Sequence, residues 1–476
     1  MTRRYHLESA LLREGWVRGC WVDVDDQGFI TGIELAGPGA VADSREIPAA
    51  TERVCGFVVP GMANAHSHAF QRAMVGGTEY RLSARDSFWT WRQAMYALAN
   101  RISPVELEVV ARQLFIEMLK SGYTTVAEFH YLHRQASGDL YGGPNELWEA
   151  VTVAAEEAGI GLTFLPTLYQ TSDFGGRPLK PEQARFALDT DRFLRDIEQR
   201  ISAQRRDSSR LRRTGAAFHS LRAVPMQSLR DAHQGFRQLD PELPVHIHIA
   251  EQIKEVEACQ ASTGRRPIEL LLDTGLVDRH WCLVHATHAS TSELKGIASA
   301  GAAVCVSITT EANLGDGFFD TARFLGNGGR VCVGSDSQAT VCPSEELRWM
   351  EYQARLRKKR RAVLADKQEA HVGTRLWREA ALAGARSIGQ PAGEIAVGRR
   401  ADWLVLDAEH PSMAGADEAT ALDHLVFAGG SAAIRDVMVG GRWVVKDSHH
   451  AAEAAALGPF RELLRRFGSK PPTTNS

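Results

Sequence analysis

Histidine and acidic side chains stand at the ends of five apolar segments that are predicted to be β-strands. They are His66-Ser67-His68, His219, His248 with Glu251 three residues later, His285, and Asp336. A single one carries little weight, because 17 histidines in 476 residues give roughly 0.6 His-x-His pairs by chance, the usual weakness of short motifs. The ordered set is more specific. Zinc and similar metals bind imidazole nitrogen and carboxylate oxygen, and a catalytic site leaves one position open for water. The pattern therefore indicates a catalytic metal site.

Short apolar strands alternate with helices through the middle of the chain, which predicts a parallel sheet. We place eight strands near 57–59, 124–127, 162–165, 216–218, 245–247, 282–284, 303–306 and 331–333. Helices over 104–120 and 145–158 separate the first of them, and each is followed by a glycine that would end it. Eight such units close naturally into a (β/α)8 barrel, with its chemistry on the loops after the strands. The long connections 69–103 and 169–180 are then lid or substrate loops.

The two chain ends predict a second, smaller domain. Short strands with glycine turns occupy residues 16–24 and 29–35, and similar strands recur at 393–406 and 437–445. We expect the two ends to pair in one β-sandwich. The predicted fold is thus α/β, with a TIM-like barrel over residues 58–392 and a discontinuous β-sandwich from residues 1–57 and 393–476, of which the last few form a tail.

Composition and charge limit the classes of partner. A formal net charge of −3 with 24% charged residues gives no global attraction to nucleic acid or membrane. The chain has no run of about 18 apolar residues, and no apolar segment follows its basic N-terminus, so we expect neither a transmembrane helix nor a signal peptide. Seven scattered cysteines without a Cys-x-x-Cys motif are typical of reduced thiols in a cytosol. We therefore expect a cytoplasmic homodimer that acts on a small molecule.

The spacing of the histidines predicts which of them bind the ion. His66 and His68 are two residues apart in an extended segment, so both side chains project from one face and can chelate one metal. His246 and His248 also share a face, but only His248 has an acidic partner at the exit of its strand. We therefore predict His248 as the third ligand and His246 as buried support. Glu251 follows just beyond, where it could exchange a proton with the metal's water.

Two further residues complete the predicted inner site. His285 ends the next strand and is predicted to be catalytic, with His288 as its local competitor. Asp336 ends the eighth strand and is predicted to close the ligand set. No lysine stands near the end of strand four, where a carbamylated lysine is one way in which such barrels hold two metals. One metal per chain is therefore favoured.

The motifs resemble those of the amidohydrolase superfamily over nearly the whole chain. The matching segments are 60–68, the His248 and Glu251 pair, His285, Asp336, and the closing glycine-rich segment 393–402. Within that superfamily, the chain resembles the deiminases of formimidoylglutamate. This second resemblance is carried by His68-Ala69-Phe70-Gln71-Arg72, Phe88-Trp89-x-Trp91-Arg92, and the segments 128–133, 219–222 and 309–317. One departure is Ile308, where we expect proline. It falls in the loop after strand seven and changes no predicted ligand.

The resemblance implies a substrate, an ion and a set of site residues. It implies that one zinc ion is held by His66, His68, His248 and Asp336, and that the glutamate part of the substrate is bound by Gln71, Arg92, Tyr131, His219 and Arg222. The implied reaction is the hydrolytic deimination of N-formimidoyl-L-glutamate to N-formyl-L-glutamate and ammonia in histidine degradation, with catalytic roles for Glu251, His285 and Asp336. Chemistry supports the arginines independently, since arginine grips carboxylates in bidentate fashion.

Three alternatives stay open on the sequence. An aromatic aminohydrolase such as a guanine-type deaminase could use the same fold, although a neutral purine would not need two arginines. The chain could be a catalytically inactive scaffold, which the joint presence of all four predicted ligands and Glu251 disfavours. A two-metal hydrolase of amide bonds is disfavoured by the missing lysine on strand four.

Overall fold

Four strands at the start of the chain belong to one sheet. The computed structural model describes residues 2–36, 51–79, 88–142 and 146–468. The strands are β1 (Arg3–Leu12), β2 (Gly15–Val24), β3 (Ile30–Leu35) and β4 (Thr51–Pro60). β1 and β2 pair antiparallel, as do β2 and β3, whereas β4 runs parallel to β1.

The next strands form a parallel barrel. They are β5 (Met62–Ser67), β6 (Tyr123–His130), β7 (Gly161–Leu168), β8 (Arg212–Thr214), β9 (Ala216–Phe218), β10 (Val245–Ile249), β11 (Trp281–His285), β12 (Ala303–Val306) and β13 (Arg330–Val333). The order follows the chain, and β8 and β9 pair in turn with the lower and upper parts of β7, so together they occupy the fourth position. Backbone bonds between the ends of β5 and β13 close the ring: Asp336 N donates to His66 O at 3.0 Å, and His68 N donates to Asp336 O at 3.2 Å. The predicted (β/α)8 barrel is confirmed.

The last strands return to the first sheet. They are β14 (Trp403–Leu406), β15 (Ile434–Val439), β16 (Arg442–Lys446) and β17 (His449–His450). The sheet order β17-β16-β15-β14-β4-β1-β2-β3 joins both chain ends through β14 and β4. The sheet curls over its own core, because Ile30 N near one edge donates to Arg399 O, just before β14, at 2.8 Å. Inside the curl, Tyr5 meets the rings of Trp403 and Trp443 edge-on at centroid distances of 5.5 and 6.5 Å.

Helices cover the barrel strands. They are α1 (Phe88–Ala99), α2 (Pro104–Ser121), α3 (Glu146–Ala158), α4 (Thr190–Arg206), α5 (Met226–Leu239), α6 (Ile253–Thr263), α7 (Pro267–Leu272), α8 (Thr291–Ala300), α9 (Ile308–Leu314), α10 (Thr321–Gly326), α11 (Pro343–Lys358), α12 (Val372–Ser387), α13 (Ala421–His424) and α14 (Glu453–Gly468). α2 begins with a capping box between Ser103 and Glu106 and ends at Gly122, whose φ of 104° suits glycine. None of the helices within the described ranges is long and apolar enough to cross a bilayer.

The first barrel strand is not where the sequence predicts it. The apolar run 57–59 belongs to β4, whose partners are β1 and β14, and the barrel begins at Met62. Gly61 makes the turn between the two sheets, and a Cβ there would lie 2.2 Å from the side chain of Thr124. The chain therefore passes from one sheet to the other within two residues. β4 runs across the predicted domain boundary at 57/58; the boundaries themselves stay predictions.

A buried ion pair lies where the two units meet. Arg400 and Asp402 are both fully buried, and Arg400 Nε and Nη2 donate to the Asp402 carboxylate at 2.9 and 2.6 Å. Arg400 Nη1 donates to Gln390 Oε1 at 2.6 Å, and Gln390 in turn donates to Thr163 on β7. The planar guanidinium fork of Arg400 thus ties the curled sheet to the base of the barrel, and its pairing with Asp402 accounts for the acidic residue that ends the segment 393–402.

Candidate active site

Three imidazoles and one carboxylate converge at the ends of β5, β10 and β13. The Nε2 atoms of His66 and His248 are 3.0 Å apart, and those of His68 and His248 are 3.3 Å apart. Asp336 Oδ1 lies 3.3 Å from His66 Nε2 and 3.4 Å from His68 Nε2. All four ligand atoms lie within 4.8 Å of one another. The structure thus brings together the four residues that the sequence predicts as ligands.

The hydrogen bonds on the outer side of the rings test whether this cluster fits a cation. His68 Nδ1 lies 2.9 Å from the carbonyl oxygen of Phe129, and His248 Nδ1 lies 2.9 Å from that of His219. A carbonyl can only accept, so each Nδ1 carries the proton and each Nε2 presents a lone pair. Two lone pairs that face each other at 3.3 Å cannot form a hydrogen bond. A metal ion between them resolves this arrangement, so the residues fit a metal.

Burial keeps these ligands in the form that binds metal. It lowers the pKa of His66 to about 3 and also lowers the pKa values of His68 and His248. The three rings are therefore neutral at pH 7. Burial alone would raise the pKa of Asp336, but its contacts with His66, His285 and His68 hold that pKa below its usual range. The set is three neutral nitrogens and one carboxylate anion, which suits a catalytic divalent ion with an open position.

Glu251 and His285 flank the cluster. His285 Nε2 lies 3.8 Å from both Glu251 Oε1 and Asp336 Oδ2. Burial raises the pKa of Glu251 to about 7, close to the value that suits a group that must both accept and return a proton. Burial alone would lower the pKa of His285, but Glu251, Glu311 and Asp336 raise it to about 10. The three predicted catalytic side chains therefore surround one small space beside the ligands.

Strained backbone marks the strand ends that carry these side chains. Ala250, His285, Ala286 and Asp336 have φ values of 51°, 69°, 50° and 45°. A non-glycine residue in this left-handed region costs about 1–3 kcal/mol and persists where its surroundings hold it in place. Such strain is common at functional sites; other positive φ values lie away from the cavity, for example at Arg210, Lys359 and Asp447.

Buried glutamates brace the loops around the site, and the sequence reasoning did not find them. Glu128 accepts from Ser67 Oγ and Ala69 N at 2.9 and 2.7 Å, and burial raises its pKa to about 8. Glu255 accepts from Glu251 N at 3.2 Å. Glu311 and Glu346, on α9 and α11, accept from the backbone N–H groups of Ser307 and Thr309. Each stands singly in an otherwise ordinary helix or strand, without a spacing pattern that would have revealed it.

A cavity opens beside the cluster and contains every residue that the resemblance assigns to the substrate. It is lined by Gln71, Arg92, Tyr131, His219 and Arg222, as well as by Glu251, His285 and Asp336. Gln71 Nε2 donates to the hydroxyl of Tyr131 at 3.0 Å. Arg222 has a buried Nε that meets no acceptor within the part of the chain that the structure describes.

Two tyrosines that the sequence reasoning missed support the substrate side. Tyr96 and Tyr169 line the cavity together with Arg92, whose guanidinium lies 5.0 Å from the centre of the Tyr96 ring. Tyr169 packs against His219 at a centroid distance of 4.5 Å. Arg92 itself lies on α1, inside the predicted first lid loop, of which residues 80–87 are outside the described ranges.

The competing positions lie apart from this arrangement. His246 points a ring nitrogen at the carbonyl oxygen of Ser387 at 2.9 Å, and neither it nor His288 belongs to the ligand cluster or lines the cavity. Ile308 is the first residue of α9 and is fully buried. A proline at a first helical position would lose only an N–H that has no helical partner, so either residue suits that position.

Comparison with known proteins agrees with this geometry. A profile of the Amidohydrolase family matches residues 57–444. A formimidoylglutamate deiminase from Pseudomonas aeruginosa is 46% identical over 457 residues, which are 96% of this chain and 98% of that protein. The crystal structure of an amidohydrolase from Brucella melitensis has a TM-score of 0.89 at 39% identity, covering 98% of this chain and 99% of that one. An adenosine deaminase from Xanthomonas campestris, solved with bound zinc, has a TM-score of 0.79 at 21% identity and covers 98% of both chains, which shows the shared fold. The chain therefore belongs to the amidohydrolase family.

Proposed function

We propose that this protein hydrolyses N-formimidoyl-L-glutamate to N-formyl-L-glutamate and ammonia, a step of histidine degradation. The observation that carries the proposal is one cavity that joins a three-histidine, one-aspartate metal site to two arginines. The metal side suits hydrolysis of a C–N bond, and the arginine side suits a substrate with two carboxylates. The 46% identity with a formimidoylglutamate deiminase over nearly all of both chains supports the same substrate.

We propose zinc as the ion, held by His66, His68, His248 and Asp336. Nitrogen and oxygen ligands with one open position suit zinc, and an adenosine deaminase of this fold was solved with zinc. Iron or manganese would fit the same donors, because affinity alone does not choose the metal. When bound, the ion would supply a water molecule acidic enough to act as a nucleophile near pH 7.

The remaining chemistry belongs to the side chains around the formimidoyl carbon. Glu251 accepts the proton of the attacking water and returns it to the terminal nitrogen of the substrate, so that ammonia leaves. One carboxylate can serve both steps because burial raises its pKa to about 7. His285 donates a hydrogen bond to the attacking oxygen, and Asp336 accepts the remaining proton of that oxygen, which becomes the carbonyl oxygen of the formyl group as ammonia leaves. This agrees with the 3.8 Å distances from His285 Nε2 to Glu251 and Asp336.

The glutamate part of the substrate would fill the other end of the cavity. Arg92 and Arg222 bind its two carboxylates, while Gln71, Tyr131 and His219 complete the wall next to them. The ring of Tyr96 lies 5.0 Å from the guanidinium of Arg92, and Tyr169 lines the same cavity. A charge-assisted pair is worth more in such a partly dry pocket than in water.

A purine aminohydrolase is the alternative on this fold. Its substrate is neutral and planar, so the two arginines that line the cavity would have no carboxylate of the substrate to bind. An inactive scaffold is also disfavoured, because a full set of converging ligands is retained.

Substrate selectivity tests the proposal directly. The purified protein is expected to release ammonia from N-formimidoyl-L-glutamate, to act poorly on N-formimidoyl-glycine, and to leave guanine and adenosine unchanged. The reason is that glycine lacks the side-chain carboxylate and the purines lack both. Ammonia release is followed with a coupled assay. Equal turnover of the glutamate and glycine compounds would contradict the two-arginine arrangement, and purine turnover alone would favour the alternative.

Replacing Arg92 or Arg222 by methionine is expected to lower kcat/KM by more than about thirtyfold, because losing one partner of a desolvated charge pair costs about 2–5 kcal/mol. Metal content should not change, since neither arginine belongs to the ligand cluster. Arg18→Met is the matched control: Arg18 pairs with Glu418 on the sheet domain, and its side chain is 78% exposed, so activity should stay at the wild-type level.

The same variants also show which arginine binds which carboxylate of the substrate. The arginine that binds the side-chain carboxylate should, once removed, also remove the preference for the glutamate compound over the glycine compound. The other variant should keep that preference while losing activity on both. Wild-type kcat/KM in both variants would show that neither arginine binds substrate.

We also propose that the protein is a cytoplasmic homodimer. All seven cysteines are free thiols, which suits a reducing compartment.

Trp349 and Leu356 lie seven residues apart on α11 and are 40% and 73% exposed, a small apolar stripe of the kind that a second copy can cover. Light scattering should give twice the 52.3-kDa mass of one chain; a single-chain mass would contradict the dimer.

A further inference from the structure

Glu311 has no part in the chemistry described so far, yet it touches a catalytic side chain. It lies on α9 within the segment 309–317, and it is fully buried. Its Oε1 atom lies 3.3 Å from Nδ1 of His285. An acidic side chain in such a place is costly to bury unless its contacts justify it.

Other groups hold the Glu311 carboxylate on one side of this contact and face the His285 ring on the other. Ser307 N donates to the same Oε1 atom at 3.1 Å, which fixes the carboxylate at the start of α9. On the opposite side of the imidazole ring, His285 Nε2 faces Glu251 and Asp336 at 3.8 Å each. The ring is therefore bracketed by one carboxylate behind it and by the reaction space in front of it.

The orientation of the His285 ring depends on such contacts, because the backbone at His285 does not determine it. His285 is the last residue of β11, and both it and the next residue, Ala286, have positive φ values, of 69° and 50°, so no later strand residue holds the ring in place. A carboxylate can only accept, so the contact places a proton on Nδ1 and leaves Nε2 to face the reacting atoms. Without it, the ring could turn about its Cβ–Cγ bond, which would put carbon atoms where Nδ1 and Nε2 now lie.

We propose that Glu311 is a positioning residue that holds the His285 ring through Nδ1, so that Nε2 faces the attacking oxygen. Its activity test rests on the proposed function. The principle is that of an acidic residue which orients a catalytic imidazole and fixes its tautomer without touching the substrate.

Glu346 provides a matched control. It is also fully buried, lies on α11 against the same helix α9, and accepts from Thr309 N at 3.2 Å and from the Thr309 hydroxyl. It makes no contact with His285 in the described part of the chain. Burial raises its pKa to about 8, so glutamine replaces a group that is already mostly neutral at pH 7.

The first experiment is a double-mutant cycle between Glu311 and His285. Glu311→Met is expected to lower kcat by about 10- to 100-fold with KM within about threefold, because an interaction that matters only in the transition state changes kcat. In the His285→Asn background, the same change should alter kcat by less than about threefold, since the two residues act as one unit. Glu311→Gln keeps an acceptor oxygen and should retain more activity than Glu311→Met. For Glu346→Gln, kcat should stay within about threefold of the wild-type value, because residues without a shared contact act independently.

A second readout does not depend on turnover. In ring-¹⁵N-histidine protein loaded with zinc, His285 should show the proton on Nδ1 in wild type and in Glu346→Gln, and this signal should change in Glu311→Met. If the wild-type protein released no ammonia, the proposed function would fail while this readout still tested Glu311. If Glu311→Met did not fold, the cycle between Glu311→Gln and His285→Asn would replace it.

Three outcomes would overturn the proposal. One is an undiminished loss from Glu311→Met in the His285→Asn background, which would mean that Glu311 acts independently of the ring. Another is an equal loss from Glu346→Gln, which would mean that both glutamates only brace α9. The third is an unchanged signal of the His285 Nδ1–H group in Glu311→Met.

Discussion

Glu251→Gln is expected to lower kcat by about 10² to 10⁴-fold, the usual range for losing a general acid-base group. Glutamine has nearly the same shape as glutamate but cannot accept a proton. The variant therefore removes proton transfer and leaves the packing of the side chain nearly unchanged. Glu251 is absent from the ligand cluster, and metal content should therefore stay at the wild-type level. Steady-state ammonia release and elemental analysis of the same preparation measure both quantities.

The pH dependence of kcat/KM, compared between wild type and Glu251→Gln, tests the role of Glu251 more directly. Burial raises the pKa of Glu251 to about 7, and a bound cation nearby would lower it again. A base must be ionised to act, so kcat/KM of the wild type should fall as the pH drops through a value at or below about 7. Glu251→Gln should lack this acid limb. Retention of most activity would mean that another group carries the proton, with His285 as the first candidate.

Glu255→Gln separates proton transfer from loop bracing. Glu255 also lines the cavity, but its carboxylate accepts from the backbone N–H of Glu251 at 3.2 Å. Glutamine can still accept that hydrogen bond, so the loss should be much smaller than for Glu251→Gln. Similar losses in the two variants would mean that the position of the loop, and not the proton, limits turnover.

The barrel and the cluster of proposed metal ligands were predictable because apolar strands that end in histidine or aspartate leave a recognisable pattern. His66 and His68, His248 and Asp336 each follow an apolar run, and parallel strands bring such ends to one mouth. The Nε2 distances of 3.0–3.3 Å among the histidines are the result. The sequence could also separate His246 from His248, because only His248 has an acidic residue, Glu251, at the exit of its strand.

The first barrel strand was misplaced for a physical reason. Residues 57–59 and the segment from Met62 are both apolar and extended, and only the tight turn at Gly61 separates them. Hydrophobic pattern predicts a strand but not the sheet in which it pairs. That choice depends on partners such as β14, which are more than 300 residues away along the chain.

The supporting residues could not be found because their roles depend on contacts between distant segments. Glu311 meets His285 across 26 residues, and Tyr169 meets Arg92 across two loops. Neither has a neighbour in sequence that signals its role. Arg92 and Arg222 were identified by resemblance, and the cavity that joins them to the ligands gives that assignment its structural basis.

Removing the metal is expected to abolish activity, with a fall of at least about 10³-fold, because the ion contributes several kcal/mol to activating water and stabilising charge. One equivalent of zinc per chain should restore full activity. Burial lowers the pKa of His66 to about 3, so the ligands need not lose protons to bind metal at pH 7, and binding should release few of them. Titration of chelated protein with zinc, followed by activity and by metal content, measures the stoichiometry. Two tightly bound metals per chain would contradict the single site.

The two histidines of β10 provide the control for this result. His248→Asn removes a ring whose Nε2 lies 3.0 Å from that of His66, so metal binding should be lost together with activity. His246→Asn changes a ring on the same face, two residues earlier, that bonds to Ser387 O instead. It should lower the free energy of unfolding, by about 1–3 kcal/mol for one buried hydrogen-bonding group, yet the folded protein should keep one metal. Equal loss of metal in both variants would mean that packing at the base of the barrel, and not ligation by His248, determines whether the ion binds.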